Sequence, residues 1–156
     1  MILAVAVSIL VLSLTGCGSA RSKIEDTVNE FEYACQNMDI DAILDTIDPY
    51  VSDSIRLVVA IYSGATGQDY EDFMDGVFDD LMYTLFGSNF DPYEFLSTIS
   101  ISEVKVKTQK REAIVTCELC FEIAGERFDR DATIYMVEED ENWYISYIDM
   151  ITPVDD

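Results

Sequence analysis

The sequence has no histidine and only nine Lys and Arg residues among 156. Without imidazole there is no His-ligated metal centre and no catalysis by the one side chain that titrates near neutrality unperturbed. The scarcity of cations against 31 acidic residues leaves a formal net charge of −22. That argues against a nucleic-acid partner, because such affinity comes from Lys and Arg neutralising phosphates. Internal repeats and low-complexity segments are also missing, apart from local acidic clusters. What is present is one domain's length of chain, 49 % hydrophobic and 12 % aromatic, enough apolar surface to offset the entropy of ordering.

Charge is absent from residues 1–16, MILAVAVSILVLSLTG, which end in Leu14-Thr15-Gly16-Cys17 and continue into Gly18-Ser19-Ala20. This segment resembles a bacterial lipobox. The resemblance implies that diacylglycerol is linked to the Cys17 thiol and the preceding signal peptide, 1–16, is removed. A buried helix, a spanning anchor and an ordinary cleaved signal compete with that reading. A run of about 16 apolar residues is short of the roughly 20 that a spanning helix needs, and the small residues cluster where a cleavage signal belongs. A secretory signal carries Lys or Arg ahead of its apolar run, whereas Ile2 follows Met1 directly; translation is therefore expected to start upstream. Residues 17–22 are expected to be the lipidated cysteine and a short tether, 23–151 a single domain and 152–156 an acidic tail.

From Lys23 to Ser97 the apolar period is helical. Ile24, Val28, Phe31, Cys35 and Met38 recur at steps of four and three. Asp39 is placed to cap a short helix through Ile43, Leu44 and Ile47, and Asp48-Pro49 is a cap with proline at the first helical position. The next helix carries Ile55, Val58, Val59 and Tyr62 until Gly64-Ala65-Thr66-Gly67. A further one presents Tyr70, Phe73, Met74, Val77, Phe78, Leu81, Met82 and Leu85 and stops near Gly87; Asp91-Pro92 opens a last short turn.

After Ser97 the period becomes two. Ile99 and Ile101, then Val104 and Val106, alternate with polar residues, and the phase slip at Ser102-Glu103 predicts a β-bulge. Val115, Cys117, Leu119, Phe121 and Ile123 form one face of a strand, Ala124-Gly125-Glu126 a hairpin turn into Arg127–Val137, and Glu138–Asn142 a polar turn into Trp143–Ile151. The expected fold class is α+β: N-terminal helices packed on a curved antiparallel sheet of about four strands.

Asn37-Met38-Asp39-Ile40-Asp41-Ala42-Ile43-Leu44 after a long first helix, with strands closing on Glu141-Asn142-Trp143-Tyr144-Ile145, resembles the nuclear-transport-factor-two-like (cystatin-like) superfamily. More closely, it is similar to small lipoproteins of Gram-positive bacteria that carry this domain. The resemblance covers roughly 23–151 and implies a cone-shaped fold with a cavity at its wide end. It implies no single activity, since enzymes, ligand binders and scaffolds share the fold.

Candidate chemistry is sparse. Cys117-x-x-Cys120 has metal or redox spacing, but residues three apart on a strand face opposite sides, so neither a metal nor another cofactor is expected. Cys35 and Cys117 both fall on core faces and are either a possible disulfide or two buried thiols. Asp69, Glu71, Asp72, Asp75, Asp79 and Asp80 invite calcium, yet Asp72, Asp75 and Asp79 have the spacing of a solvated helix face. Asn37-x-Asp39-x-Asp41 begins an EF-hand register and has Ala42 where glycine belongs. Tyr33, Tyr62, Asp48 and Tyr135 are the residue types of a metal-free isomerase, without a base placed beside an oxyanion donor; Trp143, Tyr144 and Tyr147 either line a pocket or fill the core. The reading is a lipid-anchored domain on the extracytoplasmic face of the cell membrane, binding or scaffolding without catalysis. Its expected partners are the membrane through the lipid and a basic protein. A small apolar-ligand binder or isomerase-like enzyme using the cone cavity is the alternative.

Overall fold

The computed structural model describes residues 20–67, 69, 72–73, 76–77, 80, 84 and 91–150. The lipobox, the acidic tail, Gly87 and the helix positions Tyr70, Met74, Phe78, Leu81, Met82 and Leu85 lie outside the described residues. Helix α1 covers 20–36 and α2 Ile40–Asp45; α3 covers Pro49–Thr66. Asp72, Phe73, Gly76, Val77, Asp80 and Thr84 are helical (α4), and Pro92–Ser97 forms α5. Four strands follow as an antiparallel meander in the order β1-β2-β3-β4: Ser100–Gln109, Glu112–Ile123, Glu126–Glu139 and Asn142–Met150. This is the expected α+β arrangement. Among the described residues no helix is long and apolar enough to cross a membrane.

Local chemistry sets the helix boundaries. Asp39 accepts from the Ala42 amide at 3.0 Å, Asp48 from Tyr50 at 2.9 Å, and Asp91 from Tyr93 and Glu94 at 2.9 and 3.3 Å; each cap satisfies amides that have no partner within the helix. Pro49 and Pro92 occupy first-turn positions where an N–H is dispensable. Helix α3 ends at Gly67, which adopts φ +72° and donates its amide to Ser63 O at 2.8 Å. One boundary differs from expectation: the tether 17–22 is not extended up to Lys23, since Ala20, Arg21 and Ser22 are already helical. Alanine and arginine favour helix, Ala20 packs on the core, and Arg21 pairs with Glu25 at 2.8 Å.

The core lies between α1 and one face of the sheet. Ile24, Val28 and Cys35 are buried against Val115, Cys117, Leu119 and Phe121 of β2 and Ile134 and Met136 of β3, with Phe31 and Met38 partly buried beside them. The β1–β2 register shifts between Ser102 and Lys105, with Glu103 at φ 55°, which is the expected bulge. A second shift was not expected. Tyr135 pairs with Tyr147 and Met136 with Ile145, so Ser146 is an extra residue whose hydroxyl donates to Tyr135 O at 3.0 Å. The slip reverses the phase of β4: Trp143 and Ile145 point into the core, Tyr147 points out, 60 % exposed, and Ile148 points in again.

Segment 46–48 runs beside β4 in a parallel bridge, Ile145 N donating to Thr46 O at 2.8 Å and Asp48 N to Ile145 O at 2.9 Å. At the far end of the sheet, Glu94 of α5 holds the β2–β3 turn. Its carboxylate accepts from the Ala124 and Gly125 amides, both at 2.8 Å, where the chain turns through φ 54° and 75°. Thr98 adds a relay, accepting from Glu122 N at 2.9 Å and donating to Glu94 O at 2.7 Å. Removing a charged acceptor of two amides is expected to cost about 1.5–3 kcal/mol. Glu94→Ala should therefore lower the urea midpoint and speed amide exchange at Ala124 and Gly125 first; unchanged exchange there would contradict the clamp.

Candidate functional site

Among the described residues an apolar pocket of about 200 Å³ lies between α1, α5 and the core face of the sheet. Phe31 comes from α1, Phe95 and Leu96 from α5, Ile101 from β1, Leu119 from β2 and Ile148 from β4. Ala132 and Ile134 line it from β3, and Ala132 is the smallest side chain on the wall. The β1 bulge and the β4 slip both bear on this end of the sheet: the latter brings Ile148 and Met150 to the wall where an unbroken alternation would have brought Tyr147 and Asp149.

The wall carries one titratable group among the described residues, the Cys117 thiol. Burial pushes it up to about 11, which favours the protonated thiol at neutral pH, and Sγ donates a long bond to Ala132 O at 3.8 Å. The residues that would serve an isomerase-like enzyme are elsewhere. Tyr33 and Tyr62 are exposed on α1 and α3, Asp48 caps α3, and Tyr135 stands on the outer sheet face with its ring 5.9 Å from that of Tyr147. Trp143 is buried in the core beside Ile145.

Cys35 and Cys117 are buried in the same apolar cluster and are not joined to each other in this structure. Cys117 and Cys120 do not converge, as strand geometry requires. Cys120 instead approaches Glu118 at 3.7 Å on the outer face, and with Asp129 these three groups lie within 4.8 Å of one another. Sequence reading missed this cluster because Asp129 reaches Cys120 only through the β2–β3 pairing. It is better described as a hydrogen-bonded ion pair than as a cation site. Arg127 binds Asp129 at 3.0 Å and brings its own positive charge, and the Cys120 thiol is pushed up to about 11, chiefly by its hydrogen bond to Asp129.

The acidic helix face is represented by Asp69, Asp72 and Asp80, all exposed; Glu71, Asp75 and Asp79 lie outside the described residues. Of the EF-hand-like register, Asp39 is occupied as a cap, Asn37 donates to Tyr33 O at 2.7 Å, and Asp41 lies 3.8 Å from Arg56. Each has a structural task that turns it away from a common centre.

No protein-family model matches the sequence, and no curated protein does. Among solved structures, the chain is similar to an NTF-2-like protein of unknown function from Shewanella oneidensis, at 14 % identity over 84 % of this chain and 98 % of that one, with a TM-score of 0.46. It is also similar to a protein of unknown function with a cystatin-like fold from Nostoc punctiforme, at 12 % identity over 86 % and 92 % with a TM-score of 0.49. A SEC-C-motif-containing protein from Rhodopseudomonas palustris matches at 15 % identity over 77 % and 72 %, with a TM-score of 0.45. At these identities the similarity concerns the course of the chain and says nothing of its chemistry.

Proposed function

We propose that this chain is a non-catalytic binding domain of the cell envelope, held on the extracytoplasmic face of the membrane by lipid on Cys17, and that its pocket takes a small apolar molecule. The observation that carries the ligand is the wall of the pocket: about 200 Å³ lined by Phe, Leu, Ile, Met and Ala with one neutral thiol. An apolar cavity of about 150 Å³ stays dry and admits benzene, so the space suits a ring or a short alkyl chain. No described wall residue offers a base or an oxyanion donor, so binding is favoured over turnover. Anchoring rests on the Leu14-Thr15-Gly16-Cys17 sequence, and the charge of −22 favours a basic protein over anionic polymers as any further partner.

The pocket is tested with benzene and 1-octanol as probes. Binding to the folded state alone raises the melting temperature, and Ala132→Leu, which fills the space with three more carbons, should abolish that rise while leaving the unliganded domain folded. Absence of a rise in the wild-type chain, or an equal rise in Ala132→Leu, would overturn the pocket. Anchoring is tested separately. Cys17→Ser should release the protein from the membrane fraction or leave an unprocessed precursor, since acyl chains supply about 0.8 kcal/mol per buried CH₂; unchanged attachment would count against lipidation.

A further inference from the structure

Helix α3 carries its apolar side outward. Ser52 and Val59 are its only buried residues, the latter packing with Leu44 beside Ile40, Ile47 and Phe73. At about 100° per residue, Tyr50, Leu57 and Ile61 on one side and Val51, Ile55, Val58 and Tyr62 on the other fall within a single arc of about 160°. All seven are exposed, by 37–84 %, although Tyr62 at the edge of the arc also stacks on Phe73 of α4 with ring centroids 5.8 Å apart. The helix's two charged residues, Asp53 and Arg56, fall outside that arc, and Arg56 is turned toward α2, where it meets Asp45 at 2.7 Å. Soluble monomers rarely leave a patch of this kind open.

We infer that this arc of α3 is a self-association surface, on which a second copy of the chain docks its own α3 about a two-fold axis. Extent is the first reason. The seven side chains leave on the order of 700 Å² open, close to the roughly 800 Å² per partner that a stable interface of standard size buries. Charge is the second. A two-fold contact sets the same patch against itself, which brings like charges together on any charged face; this arc has none, and Ser54 and Ala65 within it are small enough to let two helices approach. A lipid surface fits less well, because helices that lie on membranes border their apolar face with Lys and Arg. The acids nearest in sequence to α3 are Asp45, Asp48 and Asp69, and its one cation is engaged by Asp45 and Asp41. None of the α3 residues lines the apolar pocket, so the two sites are independent.

The full chain in solution is expected to sediment as a dimer whose association strengthens as salt is raised, because two bodies of −22 repel and the ions screen that repulsion. Leu57→Glu/Ile61→Glu should reduce it to a monomer with unchanged far-ultraviolet circular dichroism and melting temperature. Ser54→Cys, near the middle of the arc, should form an oxidised dimer on a non-reducing gel that the wild-type chain, oxidised alongside, does not. A monomer at 100 μM in high salt, a dimer insensitive to the two glutamates, or a monomer that binds phosphatidylcholine vesicles through α3 would each overturn the proposal.

Discussion

Phe121→Ala is expected to cost about 3–5 kcal/mol, a large share of the roughly 5–15 kcal/mol that stabilises an ordinary domain, and to lower the melting temperature by about 10 °C or more. Phe121 joins three elements. Its ring meets Phe95 of α5 edge-on with centroids 5.2 Å apart and stacks on Phe128 of β3 at 5.6 Å. Truncation removes both contacts and opens a cavity beneath the hairpin that Glu94 clamps. Phe121→Leu retains more of the volume and should cost less than Phe121→Ala, while losing both ring contacts. Equal melting temperatures for wild type and Phe121→Ala would mean that the three rings do not hold α5 to the sheet.

The second large effect is alkaline. Cys35 is buried on α1, and burial, with Glu32 adding to it, raises its thiol from an ordinary 9.0 to about 12. The folded state therefore holds the proton more tightly than the unfolded chain. Below about pH 9 both states are protonated and stability is intact. Above it the unfolded chain ionises first, and stability falls at about 1.4 kcal/mol per pH unit for this thiol until the folded value is reached. By pH 12 Cys35 alone accounts for about 4 kcal/mol, on the same basis. Cys117, raised to about 11, adds to the fall over a narrower window. Urea midpoints measured from pH 8 to 11 should decline more steeply in wild type than in Cys35→Ala; equal slopes would rule out Cys35 as the source. The two proteins differ only at residue 35, so the difference between slopes reports on that thiol.

Much of the frame was legible because it depends on local rules. The steps from Ile24 to Val28, Phe31 and Cys35, the caps Asp39, Asp48 and Asp91, the slip at Ser102 and the turn at Ala124-Gly125 are short-range patterns, and the structure has them. Ser146 was not legible: an extra residue in β4 exists only relative to β3, and nothing in its own neighbours separates Tyr147-in from Tyr147-out. Periodicity also marked Ile55, Val58, Val59 and Tyr62 as apolar without saying what they face. Of these only Val59 is buried, packed with Leu44 and beside Phe73, a contact between segments that the period of α3 does not encode. The pocket was expected from resemblance alone; its wall depends on six elements converging, which no single segment encodes.

The pairing of α1 with β4 has a consequence for synthesis. Lys23 Nζ donates to Glu141 O at 2.7 Å and Thr27 Oγ1 to Trp143 O at 3.2 Å, across 118 and 116 residues of sequence. The meander itself closes between neighbours, which favours rapid pairing once the strands exist. Helix α1, however, leaves the ribosome well before the strands that cover it. At roughly 5–20 residues per second, Ile24, Val28 and Cys35 wait about 5–25 s for the strands that cover them. During that interval the nascent chain carries an uncovered apolar stripe, Ile24, Val28 and Cys35, whose burial waits on β2 and β3.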